Sequence, residues 1–178
     1  MRAVVLTGFM GTGKSEVGKR LAKRLGRAFV DTDELVEARA GKSVPAIFRD
    51  DGESRFRALE REAVADATAR AGTVIALGGG AILDDENVAR VRASGVLVCL
   101  TASADTILKR IGDVRRRPLL AQGDARANVE RLLAERREAY GAADVTVDTS
   151  ARTADQVVEE IRTQVAEIER SGRWKPST

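Results

Sequence analysis

Residues 3–21 read AVVLTGFMGTGKSEVGKRL. An apolar run of strand length, AVVLT, stops at Gly8, and the segment Gly8-Phe9-Met10-Gly11-Thr12-Gly13-Lys14-Ser15 then satisfies the pattern G-x-x-x-x-G-K-[ST] before entering the helical stretch EVGKRLAKRL. Strand, glycine loop and helix in that order form an anion cradle. Glycines let backbone N–H groups turn inward, the helix N-terminus adds positive potential, the lysine reaches the outer phosphates of a nucleotide, and the serine hydroxyl is a ligand for Mg²⁺. The nucleotide-binding set expected here is Gly11, Thr12, Gly13, Lys14, Ser15 and Glu16.

Working outward, four further apolar runs, AFVD (28–31), TVIAL (73–77), GVLVCL (95–100) and DVTVD (144–148), alternate with amphipathic charged segments. That rhythm predicts repeated βα units, hence an α/β fold with a parallel sheet covered on both faces. Helical stripes are expected at Phe56, Leu59, Ala63 and Ala67, at Val129, Leu132, Leu133 and Tyr140 in one helix from about Ala125 to Tyr140, and at Val157, Ile161, Val165 and Ile168. The 178 residues fit one domain. Residues 112–124, GDVRRRPLLAQGD, carry no period of either kind and predict a mobile surface loop. The tail 171–178 is expected to fray.

Composition narrows the chemistry. The chain has no histidine, so general base and metal ligand must come from other side chains. The single cysteine, Cys99, lies in an apolar run and rules out disulfides within the chain, which fits a reducing, cytoplasmic setting. A net charge of +3 with interspersed signs and only 3% aromatics argues against nucleic acid. No apolar stretch reaches the roughly 20 residues of a membrane span, and the opening MRAVVLTG is too short for a signal peptide.

A GTP-dependent switch would need an N-K-x-D segment, but the two asparagines, Asn87 and Asn128, sit in NVAR and NVER. A kinase for a small acceptor needs carboxylates near the γ-phosphate and an acceptor pocket. Asp31 and Asp33 end the second strand, where open α/β sheets place ligands. Asp31 suits Mg²⁺ held through water, and Asp33 suits an acceptor hydroxyl, with helix capping as the alternative for both. Gly78, Gly79 and Gly80 end the third strand and offer bare backbone, unless they form only a turn. Arg136 falls on an apolar stripe, Arg57 adjoins Phe56, and Arg117 ends a triple-arginine run. Singly these read as snorkelling side chains, and together as a clamp for a carboxylate.

These motifs resemble shikimate kinases from Val4 to about Ile168. GFMGTGKS is similar to that family's phosphate loop, FVDTDELVE to its shikimate-facing aspartate segment, IFRDDGESRFRALE to its acceptor-binding helices, and LGGGAI to its glycine turn. RRRPLL and ERREAYGAAD resemble the lid and the helix after it. The resemblance implies sheet order 2-3-1-4-5, acceptor-binding helices over about 32–61, a lid over 112–124 and a monomer. It also implies ATP-dependent phosphorylation of the shikimate 3-hydroxyl. By residue, it implies Lys14 on the phosphates, Ser15 and Asp31 on Mg²⁺, Asp33 on the shikimate hydroxyls, Arg57 and Arg136 on its carboxylate and the Gly78–Gly80 turn on its ring. Arg117 would reach the transferring phosphate, and Arg110 and Arg152 would flank adenine. A related kinase acting on gluconate is the alternative that shares the phosphate loop.

Overall fold

The computed structural model describes residues 1–113, 117, 119–120 and 123–171. Five parallel strands, β1 (Ala3–Gly8), β2 (Phe29–Asp31), β3 (Val74–Ala76), β4 (Gly95–Thr101) and β5 (Val145–Asp148), form one sheet in the order β2-β3-β1-β4-β5. β1 is central, with Val5 beside Ile75 on one side and Leu97 on the other. All strands being parallel, their C-terminal ends share one edge, and the connections must be crossovers.

The crossovers are α1 (Lys14–Leu25), α2 (Thr32–Ala40), α3 (Val44–Asp50), α4 (Gly52–Thr68), α5 (Asp85–Ser94), α6 (Ala104–Ile111), α7 (Ala125–Glu135) and α8 (Arg137–Gly141), with α9 (Ala154–Ser171) last among the described residues. Local chemistry sets their ends. Ser43, Asp84, Ser103 and Asp124 each accept a backbone N–H in the first turn of the helix that follows, and α1 stops at Gly26 in the left-handed region.

Alternation along the strands divides the core in two. Val4, Leu6, Val96, Val98 and Leu100 face α1 and α9, packing with Leu21, Val157 and Ile161. Val5, Ile75, Leu97 and Cys99 face the other layer, with Val64, Val91, Ile107 and Val129. Three layers result, α/β/α. A satellite cluster of Val36, Ile47, Phe56, Leu59 and Ala63 holds α2, α3 and α4 together at the β2 side.

One expected helix is two. The run from Ala125 to Tyr140 breaks at Arg136 (φ −98°, ψ 1°), which ends α7 and precedes α8. The apolar stripe persists across the break, so spacing alone hid it. The loop expected over 112–124 is described only at 112–113, 117, 119–120 and 123–124, and the tail only at Ser171; the rest of both lies outside the described residues. No described helix is long and apolar enough to cross a membrane.

Where β4 begins, Gly95 lies against the β1 backbone, and a Cβ there would overlap the Ala3 carbonyl. Two paired central strands have no room to separate. Gly95→Ala is therefore expected to lower stability by about 3 kcal/mol, read as a fall in the urea midpoint with unchanged slope.

Candidate active site

The phosphate loop leaves β1 with Gly8, Gly11 and Gly13 at φ of 137°, 78° and 93°, a backbone path that side chains oppose. A Cβ at Gly8 would strike the Leu100 carbonyl. The Thr12 hydroxyl donates to the Phe9 carbonyl at 2.7 Å, tying the loop across itself. Lys14 Nζ donates to the Gly8 and Phe9 carbonyls at 2.9 and 3.0 Å, so the ammonium lies across the loop. Burial lowers its pKa to about 8 against the pull of Asp33 and Asp31.

Asp31 has the helix-capping role foreseen as its alternative, and it also meets the Ser15 hydroxyl. One carboxylate oxygen accepts the Asp33 N–H at 3.0 Å as the N-cap of α2, and the other accepts the Ser15 hydroxyl at 2.6 Å. Hard oxygen donors this close fit Mg²⁺, which takes one or two protein oxygens and fills its octahedron with waters and phosphates. Among the described residues no cluster of three or more carboxylates or cysteines forms a cage of its own.

Asp33 is the second residue of α2, in its first turn, with Oδ1 buried and unpartnered. Burial, then the Asp31 charge, raises its pKa to about 6, with Lys14 opposing. It borders a cleft that also touches Met10, Phe48, Phe56, Arg57, Glu60, the Gly78–Gly80 turn, Arg117 and Arg136. The expected acceptor residues thus converge. Arg57 approaches from α4 and Arg136 from the α7–α8 break, where it is 4% exposed with its guanidinium 5.4 Å from the Phe9 ring centre.

The three glycines are explained one by one. A Cβ on Gly78 would lie 2.7 Å from Asp33 Oδ1 and 2.8 Å from Glu60 Oε1. On Gly79 it would make only ordinary contact with the Gly8 carbonyl at 3.4 Å and Arg136 at 3.6 Å, and on Gly80 it would meet the Arg57 guanidinium at 2.7 Å. Bare backbone is needed here first for the site's own side chains. Thr32 Oγ1 accepts the Gly78 N–H at 2.9 Å, joining the turn to the β2 end.

A second cleft runs along the loop and is lined by Gly11, Thr12, Gly13, Glu16, Arg110, Thr149 and Arg152. Arg110 donates to the Thr149 carbonyl at 2.7 Å and hydroxyl at 2.8 Å, and the same hydroxyl lies 3.1 Å from the Thr12 carbonyl. Arg152 pairs with Glu160, and Glu16 with Arg20. The expected nucleotide residues therefore lie together.

A family model described as shikimate kinase matches residues 10–166. A shikimate kinase of Pelotomaculum thermopropionicum is 46% identical over 161 residues, covering 90% of this chain and 94% of its own. The chain belongs to the shikimate kinase family. The solved structure of the Acinetobacter baumannii shikimate kinase in complex with shikimate superposes with a TM-score of 0.90 at 32% identity, covering 94% of each chain. A gluconokinase from Sinorhizobium meliloti shares only the fold, at a TM-score of 0.59 and 20% identity, so the gluconate alternative is not favoured.

Sequence reading missed several residues of this shikimate kinase family site. Glu60, 1% exposed, accepts Arg57 at 2.7 Å while its other oxygen is unpartnered. Its place four residues after Phe56 and three after Arg57 puts it on the buried face beside that arginine, a legible signal. Thr32 and Thr149 act across 46 and 48 residues, and no local pattern marks them.

Asp33 makes the site costly. Its carboxyl binds a proton more tightly in the fold (about 6) than the ordinary value of 3.8, so the ionised form destabilises the ligand-free fold. The penalty is absent below the ordinary value, grows as pH rises between the two, and is complete above the higher one. Asp33→Asn is expected to stabilise the free protein at pH 7 by roughly 1–3 kcal/mol, a gain that shrinks to about half at pH 5. Thermal unfolding of both proteins across that range reads it.

Proposed function

We propose that this chain transfers the γ-phosphoryl group of ATP to the 3-hydroxyl of shikimate, giving 3-phosphoshikimate and ADP, as a step of chorismate and aromatic amino-acid biosynthesis. One observation carries the reading. Two guanidinium groups, a strained carboxylate and a bare glycine turn line a cleft that borders the phosphate loop at Met10. An acidic, polyhydroxylated ring supplies a carboxylate for the arginines and a hydroxyl for the aspartate.

The residue roles follow from placement. Arg57 and Arg136 hold the carboxylate, and Gly78, Gly79 and Gly80 admit the ring. Arg110 and Arg152 flank the base, while Gly11, Thr12, Gly13 and Glu16 line the phosphate cradle. Asp33 orients the acceptor hydroxyl. The shikimate oxygen forms a bond to the γ-phosphorus as the bond to the β–γ bridging oxygen breaks, and the hydroxyl proton passes to Asp33 and then to solvent. A carboxylate whose pKa is about 6 accepts that proton more readily than an ordinary aspartate and is still ionised at pH 7. Lys14, freed from its loop carbonyls, and Arg117 offset charge on the phosphoryl oxygens. Ser15, and Asp31 through water, would hold Mg²⁺, whose chemistry there would be to neutralise phosphate charge.

Residues 1–170 act as a single domain, with helices 32–61 on the acceptor side and a lid over 112–124. The proposed setting is the cytoplasm, with the chain monomeric and the buried free thiol of Cys99 inert.

Coupled ADP release with shikimate, gluconate and nucleoside monophosphates tests the reading; turnover with shikimate alone is expected, and silence with shikimate overturns it. Lys14→Ala is expected to lower kcat at least about 100-fold. Arg136→Ala is expected to raise the shikimate KM by about 10-fold or more, with the ATP KM nearly unchanged. For the free enzyme, kcat/KM for shikimate should rise with pH through about 6 as Asp33 ionises and fall above about 8 as Lys14 loses its proton.

A further inference from the structure

Tyr140 is 7% exposed and belongs to the core stripe of α8, yet its hydroxyl does not face apolar matter. It donates to the Gly79 carbonyl at 2.7 Å, and the same carbonyl accepts Arg136 Nη1 at 3.2 Å. Arg136 also bears on the hydroxyl itself, opposing the rise in pKa that burial causes. Gly79 is the residue at which the acceptor cleft meets the phosphate loop, since a side chain there would touch both the Gly8 carbonyl and the Met10 N–H.

We propose that Tyr140 is a positioning residue for acceptor binding: its hydroxyl satisfies the Gly79 carbonyl so that Arg136 is free to leave it for the substrate carboxylate. The inference rests on the reading of Arg136 as a carboxylate ligand. A carbonyl oxygen has two lone pairs, and in the free protein both have donors. When Arg136 turns to an incoming carboxylate, the carbonyl keeps one good bond, and no buried acceptor is orphaned. Without the hydroxyl, the carbonyl would hold Arg136 as its remaining side-chain donor, and substrate binding would have to break that bond uncompensated. The effect falls on the acceptor alone, because Tyr140 does not line the nucleotide cleft. Tyr140 stands four residues after Arg136, the N-cap of α8, with its N–H on the Arg136 carbonyl at 2.9 Å, so the first turn of α8 ties the two residues together.

Tyr140→Phe keeps the ring and its packing and removes one oxygen. Steady-state kinetics should show the shikimate KM raised about 10-fold, the loss of one compensated hydrogen bond, with the ATP KM and kcat within about threefold and an unchanged far-ultraviolet spectrum. In an Arg136→Lys background the same substitution should change the shikimate KM by less than about twofold, since the guanidinium it releases is gone. An unchanged shikimate KM in Tyr140→Phe overturns the proposal, as does an equal rise in both Michaelis constants, which would mark general loosening. If Arg136→Ala also leaves the shikimate KM unchanged, the carboxylate clamp has failed as well. If Arg136→Ala raises it and Tyr140→Phe does not, only the role of Tyr140 is lost.

Discussion

Every strand of the sheet runs in the same direction, and the site depends on that constraint. Parallel strands put Gly8, Asp31 and the Gly78–Gly80 turn at one edge, although they are separated by tens of residues in the chain. β1 lies between β3 and β4, so the phosphate loop emerges beside the glycine turn. The acceptor cleft is therefore a gap between neighbouring strand ends, closed on its far side by α2, α3 and α4, whose small core is separate from the two that cover the sheet.

Into that gap the fold places more charge than it neutralises. Lys14 is half-buried against carbonyls, Asp33 and Glu60 each keep a buried oxygen without a partner, and Arg136 rests on an aromatic ring and a shared carbonyl. Such groups destabilise a protein standing alone. In the proposed function they meet an occupant with complementary charge, a polyphosphate on one side and a carboxylated ring on the other. Preorganised groups need little rearrangement when the ligand arrives, and the ligand-free stability they cost is the usual counterpart of that readiness.

The glycine turn shows how tightly the arrangement is packed. Gly78 is pressed by Asp33 and Glu60 and Gly80 by Arg57, while Gly79 lies in ordinary contact with Arg136. Bare backbone lets three helices and the phosphate loop bring their functional groups within one small volume. A Cβ on Gly78 or Gly80 would push one of them out of place.

The order of residues in the chain determined what is local or periodic. The strand–loop–helix of the phosphate loop, five apolar runs, the aspartates after β2 and the triple glycine are all written in consecutive residues, because backbone conformation and strand alternation are governed by near neighbours. Family resemblance supplied the strand order, and the folded chain has it. The tertiary structure alone decided the break at Arg136, whose apolar stripe continues unchanged across two helices, and the partnership of Arg136 and Tyr140 on one carbonyl 57 and 61 residues away. Burial of charge is likewise a property of the assembled fold: Asp33 reads as an ordinary first-turn aspartate until α4, the glycine turn and Asp31 surround it and remove its water.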